Sequence, residues 1–504
     1  MKGCLKIGLY LLLTVLSLPV GAEEGPGWKP VWLVNKQQSM LDHWQEQDAA
    51  LQTKKRPWRA ALEVFAINAG VHSFDRWVMN EEFAQVKPKN IWHNLKNGFV
   101  WDNDQFSTNL FAHPYHGNLY YNAARSNGLS FWESAPYALG GSLMWEIAGE
   151  IEPPAINDLI ATTMGGIAIG EVAHRISDMI LDDRAHGFNR FLREFAAGVV
   201  NPMNALNRLI DGRAWRVNRQ GESKGQVHNI PYSLDITAGS RYLADNGHFF
   251  TGEHDPYLTL TLNYGDPFHT SHRNPYDYFT AQISLGFGKS QPTINQLHLL
   301  GRLLGTRVNE GTNTHVEIGL FQHFNYYDSA PVLKGSERVP YRISEAAAFG
   351  PGVIYDFPHL GNLSKLQQRI FLSGILLGGS KSDYYNVIDR DYNMGSGFSV
   401  KMNTLVKFAH RGSFLLNVDY YRIYTWKGYE GKNLDTDNPL YLNVQGDKSN
   451  ALLLVINPNA VIDLSNSISI NLSASNYIRR TFYRYHPNVR ANTFEVRFGL
   501  NYHI

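Results

Sequence analysis

The sequence predicts an α+β protein in which an N-terminal helical domain precedes an antiparallel transmembrane β-barrel of about 12 strands. Apolar and polar residues alternate in about 12 segments over residues 232–504, and polar links that carry Gly and Pro separate these segments. The N-terminus has the pattern of an export signal. The last segment places apolar residues on one face and polar residues on the other. Together these three observations predict an exported barrel with lipid outside.

The first 22 residues resemble a secretory signal peptide. Lys2 and Lys6 precede or begin an apolar run of about 14 residues that ends near Val20. A helix that crosses a bilayer needs roughly 20 apolar residues, so cleavage after Ala22 is favoured over a membrane anchor. The only cysteine, Cys4, lies inside this signal. The mature chain is therefore expected to contain no disulfide, thiolate metal site or cysteine nucleophile.

The strand pattern is clearest in residues 493–504. Every second residue there is apolar: Phe494, Val496, Phe498, Leu500, Tyr502 and Ile504. The last strand of such barrels usually ends on an aromatic residue. Here the final residue is Ile504, and the aromatic Tyr502 lies two positions earlier on the same face, so the expected insertion signal is imperfect. Many of the predicted strands exceed the usual 5–6 residues of soluble sheets, and no later run is apolar enough for a membrane-spanning helix. A soluble β-sandwich or propeller is the alternative fold.

Polar residues on these strands are expected to face a watery lumen. They include Lys401, Lys407, Asp419 and Arg497. A second group of residues is interpreted as part of an aromatic belt at the membrane surface. This group consists of Tyr420, Tyr421, Tyr424 and Trp426.

Four regions are predicted along the chain: a signal peptide (1–22), a polar arm (23–56), a helical domain (57–228) and the barrel (229–504). Helices are expected over Trp58–Val78, from Pro114, over Ser130–Glu150, from about Asn157 to Leu181, and over Phe188–Val199. Ser130 and Glu133 have the spacing of a capping box. Residues 80–112 are expected to be irregular. Gly165, Gly166 and Gly170 are costly within a helix, so a second helix is expected to pack closely there.

Composition narrows the function and the partners. The formal net charge is +1, which gives no global field for nucleic acid. Aromatic residues reach 13 %, as expected for the girdles of a membrane barrel. The expected location is the cell outer membrane. The expected partners are outer-membrane lipid, lipopolysaccharide and the outer-membrane insertion machinery.

The helical domain also carries a recognisable motif. Residues 113–128 have the sequence HPYHGNLYYNAARSNG, and the string NIWHNLKNG precedes it at 90–98. Together with Glu146, Glu150 and the glycines before Glu171, this segment resembles the bacterial family DUF3943 over about residues 90–200. The resemblance implies an exported Gram-negative envelope protein with a β-rich remainder. It implies no catalytic assignment.

Six polar residues of the helical domain form the candidate catalytic set: His113, His116, Glu146, Glu150, Glu171 and His174. Glu171 and His174 have Glu-x-x-His spacing, which places them on one helical face. Carboxylate metal proteins of the four-helix type use two such motifs, and only one is found here.

Three interpretations of this set stay open. The first is a structural ion-pair network of Glu171, His174, Arg175 and Asp178. The second is a hydrolytic or acyl-transfer site with His116 as base, oriented by Glu146 or Glu150, for which Ser126, Ser130 and Ser134 are candidate nucleophiles. The third is a metal site. No cofactor is predicted.

Three functions follow from this reading of the sequence. The first is a channel, transporter or structural envelope protein whose helical domain is periplasmic or plugs the barrel. Because a barrel of about 12 strands has little room for helices, packing against the barrel is favoured over plugging. The second is an envelope enzyme acting on lipid or cell-wall material. The third is a soluble periplasmic binding protein.

Overall fold

The computed structural model describes residues 55–504 except 102–103, 216–229, 246–247, 269–273, 309–313, 333–338, 358–360, 362, 387–389, 410 and 431–445. The predicted signal peptide and nearly all of the polar arm lie outside the described residues.

Residues before the barrel form helices. They are α1 (Pro57–Phe74), α2 (Pro88–Asn97), α3 (His113–Ser126), α4 (Phe131–Ala148), α5 (Ile156–Ile160), α6 (Gly166–Ile180), α7 (Gly187–Val200) and α8 (Pro202–Ile210). Three short π-helical segments occur at Asp75–Met79, Thr108–Ala112 and Ala161–Gly165. Within the described ranges, no helix has both the length and the apolar character needed to cross a bilayer.

Most of the helices predicted from the sequence are confirmed, and the prediction for one region is corrected. Residues 80–112 were expected to be irregular, which is wrong, because α2 and the segment Thr108–Ala112 lie there. The capping box before α4 is confirmed: the Ser130 amide donates to Glu133 Oε2 (2.9 Å) and the Glu133 amide donates to Ser130 Oγ (3.4 Å).

The chain divides into two compact units. The described parts of Met1–Val71, Asn118–Gly141 and Gly170–Asn229 form one, called here the helical unit. His72–Gly117, Ser142–Ile169 and Ile230–Ile504 form the other, called the barrel unit.

The expected close helix packing is confirmed at two glycines, one in each unit. In the helical unit, a Cβ on Gly170 would lie 2.7 Å from the Tyr121 ring. In the barrel unit, a Cβ on Gly165 would lie 2.8 Å from Pro114. Gly117 of the HPYHG motif is still tighter, because its Cβ would lie 1.7 Å from the carbonyl oxygen of Thr162. Each site admits a neighbouring element only because the glycine lacks a side chain.

A closed antiparallel barrel of 12 strands follows the helices, as predicted. Each strand pairs with its neighbour in sequence, and β1 closes the ring against β12. The strands are β1 (Tyr232–Asp245), β2 (Glu253–Tyr264), β3 (Phe279–Gly286), β4 (Ile294–Arg307), β5 (His315–Asp328), β6 (Arg342–Asp356), β7 (Leu363–Lys381), β8 (Tyr392–Phe408), β9 (Gly412–Thr425), β10 (Ser449–Asp463), β11 (Ile468–Tyr483) and β12 (Val489–His503).

The two faces of β12 show how the barrel is oriented. Phe498, Leu500 and Tyr502 are about half exposed, whereas Glu495 and Arg497 on the opposite face are buried. Arg497 Nη1 donates to Ser284 Oγ on β3 at 2.6 Å. Because β3 and β12 are not neighbours in the ring, this contact passes through the lumen. The apolar face of the terminal strand therefore points outward and its polar face points inward, as predicted.

Helical segments of the barrel unit pack on the outer face of the wall. The Phe106 ring lies 5.2 Å from the ring of Tyr326 and 5.4 Å from that of Tyr392, both at outward positions. Gln322, also outward, donates to the carbonyl of Met164 at 3.0 Å. Helical residues of the barrel unit therefore cover part of the wall that lipid would otherwise contact.

Candidate functional site

Inward side chains from opposite walls meet inside the barrel. Gln296 on β4 donates to the hydroxyl of Tyr477 on β11 at 2.8 Å. Five strand-to-strand steps separate β4 from β11 along the shorter way round the ring. A hydrogen bond between them bridges the lumen, so the barrel is not an open tube at this level.

Four inward tyrosines form the centre of this closure, and they are called here the tyrosine cluster: Tyr327, Tyr341, Tyr421 and Tyr477. Each is at most 4 % exposed. The Tyr341 and Tyr477 rings lie 4.1 Å apart, and Tyr327 lies 5.9–6.5 Å from the other three, with its ring edge toward theirs. Such edge-to-face pairs are favourable.

Aliphatic side chains complete the closure. The tyrosines belong to a buried apolar cluster that includes Leu243, Ile343, Ile375, Leu453 and Val455. These residues come from four different strands. They lie nearer the strand ends opposite the chain's C-terminus, as the positions of Leu243 in β1 and Ile343 in β6 show. Packed apolar side chains exclude water, so they seal this part of the lumen.

Charged residues form paired layers beside the tyrosine cluster. Lys401 Nζ lies 2.7 Å from Glu345, and Arg497 Nε lies 2.7 Å from Glu495. Arg241 pairs with Asp255 at 2.9 Å. These side chains are nearly or completely buried. Lys401 and Arg497 were expected to face a watery lumen, and they instead face the lumen as members of buried ion pairs.

Neutral amides line part of the other half of the lumen. Asn403, Asn417 and Asn457 are paired in register across β8, β9 and β10. Asn403 donates to Asn417 at 2.8 Å, and Asn417 donates to Asn457 at 3.4 Å. All three are partly exposed. We call them the asparagine ladder; with its neighbours it forms a polar lining that solvent can reach.

Glu171, one of the six sequence-predicted residues, is held by three side-chain donors. Its carboxylate is fully buried and accepts from Arg125 Nε (2.8 Å), Arg175 Nε (2.8 Å) and the Tyr121 hydroxyl (2.7 Å). Burial by itself raises the pKa of Glu171, but the charges of Arg125 and Arg175 lower it by more, to about 2. A carboxylate in this setting is held ionised and holds α3 against α6.

His174 lies one turn after Glu171 on α6. Its Nε2 is 3.5 Å from Asp178 Oδ2, and its buried Nδ1 has no hydrogen-bond partner. Burial and then the charge of Arg125 lower the pKa of His174 to about 4. The imidazole is therefore neutral at pH 7.

The other four residues belong to the barrel unit. His113 Nε2 lies 3.8 Å from Asp158, and the partly buried His116 ring packs edge-on against Trp145 at 5.3 Å. Burial, and then the neighbouring His113, lower the pKa of His116 to about 4. Glu146 accepts from the Ala155 amide at 2.7 Å. The backbone oxygen of Glu150 accepts from Asn94 at 3.2 Å.

The six residues thus divide between the two units, with Glu171 and His174 in the helical unit and the others in the barrel unit. Over the part of the chain that the structure describes, no three His, Cys, Asp or Glu side chains come together in a way that could hold a metal ion. A catalytic role for His116 with Glu146 or Glu150 stays a prediction.

The tyrosine cluster was not recognised in the sequence. Tyr421 was assigned to an outer aromatic belt with Tyr420 and Tyr424, and for Tyr421 this is wrong. Tyr420 and Tyr424 occupy outward positions, whereas Tyr421 is fully buried in the lumen. The alternation of side chains along the strand could have placed Tyr421 correctly. Tyr421 lies two residues after Asp419 and so on the same face, and Asp419 had been assigned to the polar inward face.

The closed antiparallel ring, with an apolar outer face and an inward face of paired charges and amides, defines the class: this is an outer-membrane β-barrel. Residues 98–203 match the family model described as domain of unknown function DUF3943. This match confirms the resemblance seen in the sequence and covers the helical region between α2 and the first residues of α8. No curated protein sequence matches the chain.

Part of this chain is similar to several solved structures of outer-membrane proteins. The NanC porin is 12 % identical, with a TM-score of 0.28, over 53 % of this chain and 98 % of its own. An outer membrane channel from Pseudomonas putida F1 is 11 % identical (TM-score 0.26; 54 % and 94 % covered). The outer membrane channel DcaP of Acinetobacter baumannii is also 11 % identical (TM-score 0.21; 55 % and 97 %). The assignment to this class rests on strand order and on the two faces of the wall.

Proposed function

We propose that this protein is a narrow channel of the cell outer membrane that is kept closed by side chains of its own lumen. The observation that carries the proposal is the bridge across the lumen from Gln296 to Tyr477 (2.8 Å), within the tyrosine cluster. Among the described residues the closure is made by side chains, so rotation of a few rings would suffice to open a path. Side-chain rotations of this kind are fast compared with domain motions.

The lumen lining supports a transport role over a purely structural one. A barrel that only stabilised the envelope could fill its interior with apolar residues throughout. Here the asparagine ladder and its neighbours make one half of the lumen polar and partly exposed. Buried ion pairs such as Lys401–Glu345 lie between this half and the tyrosine cluster. Buried charges are costly unless paired. Their presence is more easily explained by a path for polar solutes than by stability.

The finer partners belong to the same proposal. Lipopolysaccharide would contact the outer face, and the outer-membrane insertion machinery would recognise the terminal strand. The apolar positions Phe498, Leu500 and Tyr502 support both roles.

Solute flux into proteoliposomes tests the proposal. The double variant Tyr341→Ala/Tyr477→Ala removes the closest ring pair, and Tyr424→Ala removes an outward tyrosine as the matched control. We expect slow swelling in a neutral sugar for the wild type and the control, and clearly faster swelling for the double variant. Heat-modifiable gel migration verifies that each barrel is folded. A folded double variant no more permeable than the control would refute the channel and leave a structural role.

A further inference from the structure

Helix α2 presents an unusual surface. At 3.6 residues per turn, Trp92 and Leu95 lie on one side of the helix, and both are well exposed, at 70 % and 58 %. Asn94 lies on the opposite side and is buried, with its amide donating to the carbonyls of Ile147 (3.3 Å) and Glu150 (3.2 Å). The protein thus holds α2 by its Asn94 side and turns the apolar residues away from itself.

Basic residues flank these apolar side chains. Lys89 and Lys96 lie beside Trp92 on the helical wheel, and Lys87 precedes the helix; all three are exposed. The helix sequence PKNIWHNLKN contains no acidic residue. Phe99, just beyond the helix, is 45 % exposed. A short helix with an apolar face, a tryptophan and flanking lysines is typical of segments that lie in the headgroup layer of a membrane.

We propose that α2 docks on the anionic headgroup surface of the bilayer that holds the barrel. Two features favour an anionic lipid surface as the partner of α2. The lysines complement negative headgroups, each strengthening attachment to an anionic surface about five-fold. In addition, α2 belongs to the barrel unit, whose segments around Phe106 and Met164 already cover the outer wall of the barrel. The lipid-facing wall and α2 are therefore parts of one unit.

This inference goes beyond the channel and does not depend on it. It assigns a contact with lipid to α2, which directly precedes the residues that match DUF3943. The sequence predicted only a helical domain that is periplasmic or plugs the barrel. A barrel that never conducts would leave the docking of α2 unaffected.

A single fluorescent label tests the docking. The full chain carrying Cys4→Ser and Leu95→Cys is labelled with the environment-sensitive dye NBD and reconstituted into vesicles. The vesicles contain phosphatidylcholine alone or phosphatidylcholine with phosphatidylglycerol, and lipid with a doxyl quencher is added. Glu82→Cys, an exposed position of the same unit, is the matched control site. We expect a blue shift and strong quenching at residue 95, greater with phosphatidylglycerol, and neither effect at residue 82.

Two further variants separate charge from apolar contact. Lys87→Gln/Lys89→Gln/Lys96→Gln is expected to weaken docking about a hundred-fold and to remove the dependence on phosphatidylglycerol. Trp92→Ser is expected to reduce quenching in both lipids, and Lys289→Gln in a barrel loop to change nothing. Equal quenching at residues 95 and 82 would overturn the proposal. So would a blue shift that depends on protein concentration but not on doxyl lipid, which would mean that a second copy covers α2.

Discussion

Replacement of Glu171 by Gln is the sharpest test of the helical unit. The variant keeps the shape of the side chain but removes the charge that two arginines share. Arg125 and Arg175, both largely buried, would then lack their common carboxylate. Breaking a buried ion pair in this way typically costs about 3–5 kcal/mol, because an uncompensated charge is left inside.

The pKa of Glu171 gives a second estimate of how much its ion pairs contribute to the free energy of unfolding. The carboxyl has an ordinary value of 4.5 and titrates at about 2 in the folded chain. At about 1.4 kcal/mol for each pH unit, this difference corresponds to about 3 kcal/mol of stability. Because the folded pKa is depressed, the contribution is fully present above pH 4.5 and is lost as pH falls toward about 2. The two estimates agree in size.

The assay is chemical unfolding of the full chain in detergent, followed by the helical circular-dichroism signal, with gel migration to verify that the barrel stays folded. Glu133→Gln is the control, since its ion pair with Lys55 (2.8 Å) is about half exposed and contributes at most about 1 kcal/mol. We expect Glu171→Gln to lose about 3 kcal/mol and to lack the wild type's decline between pH 4.5 and 2. Equal losses for the two variants would refute the reasoning.

Three further predictions follow from the helical region. Gly117→Ala should destabilise the barrel unit by about 1–3 kcal/mol through overpacking against Thr162, whereas Gly140→Ala, with open space at its Cβ, should be neutral or stabilising; thermal unfolding compares them. The lowered pKa of His116 means that stability falls as pH drops from 6.5 to about 4, and His116→Gln should flatten that part of the unfolding profile. If His116 is catalytic instead, His116→Ala should abolish any lipid or cell-wall turnover, which a product assay would detect.

The barrel could be predicted from the sequence because each strand carries its own signal. Lipid outside and polar groups inside impose alternation on every strand, so the 12 strands and the outward face of β12 followed directly. Helix α2 was missed because Ile91, Trp92 and Leu95 are its only large apolar residues, and the contact that holds it runs through Asn94 to a distant helix. A helical contact that depends on one asparagine and a distant helix cannot be recognised from the spacing of nearby residues.

The lumen closure and the role of Glu171 were beyond the sequence for a related reason. The Gln296–Tyr477 bond joins residues 181 positions apart, and no local spacing connects them. The Glu-x-x-His spacing correctly placed Glu171 and His174 on one helix. The partner of Glu171, Arg125, however, comes from α3, 46 positions earlier in the sequence. Only the tertiary structure decides between an ion-pair network and a reactive site.

Single-channel recording in planar bilayers tests most directly whether this outer-membrane barrel is closed by its own tyrosine cluster. We expect the wild type to be silent or to open rarely, and Tyr341→Ala/Tyr477→Ala to give discrete, frequent conductance steps. A wild type that is constantly open, or a folded double variant that is as silent as the wild type, would contradict it.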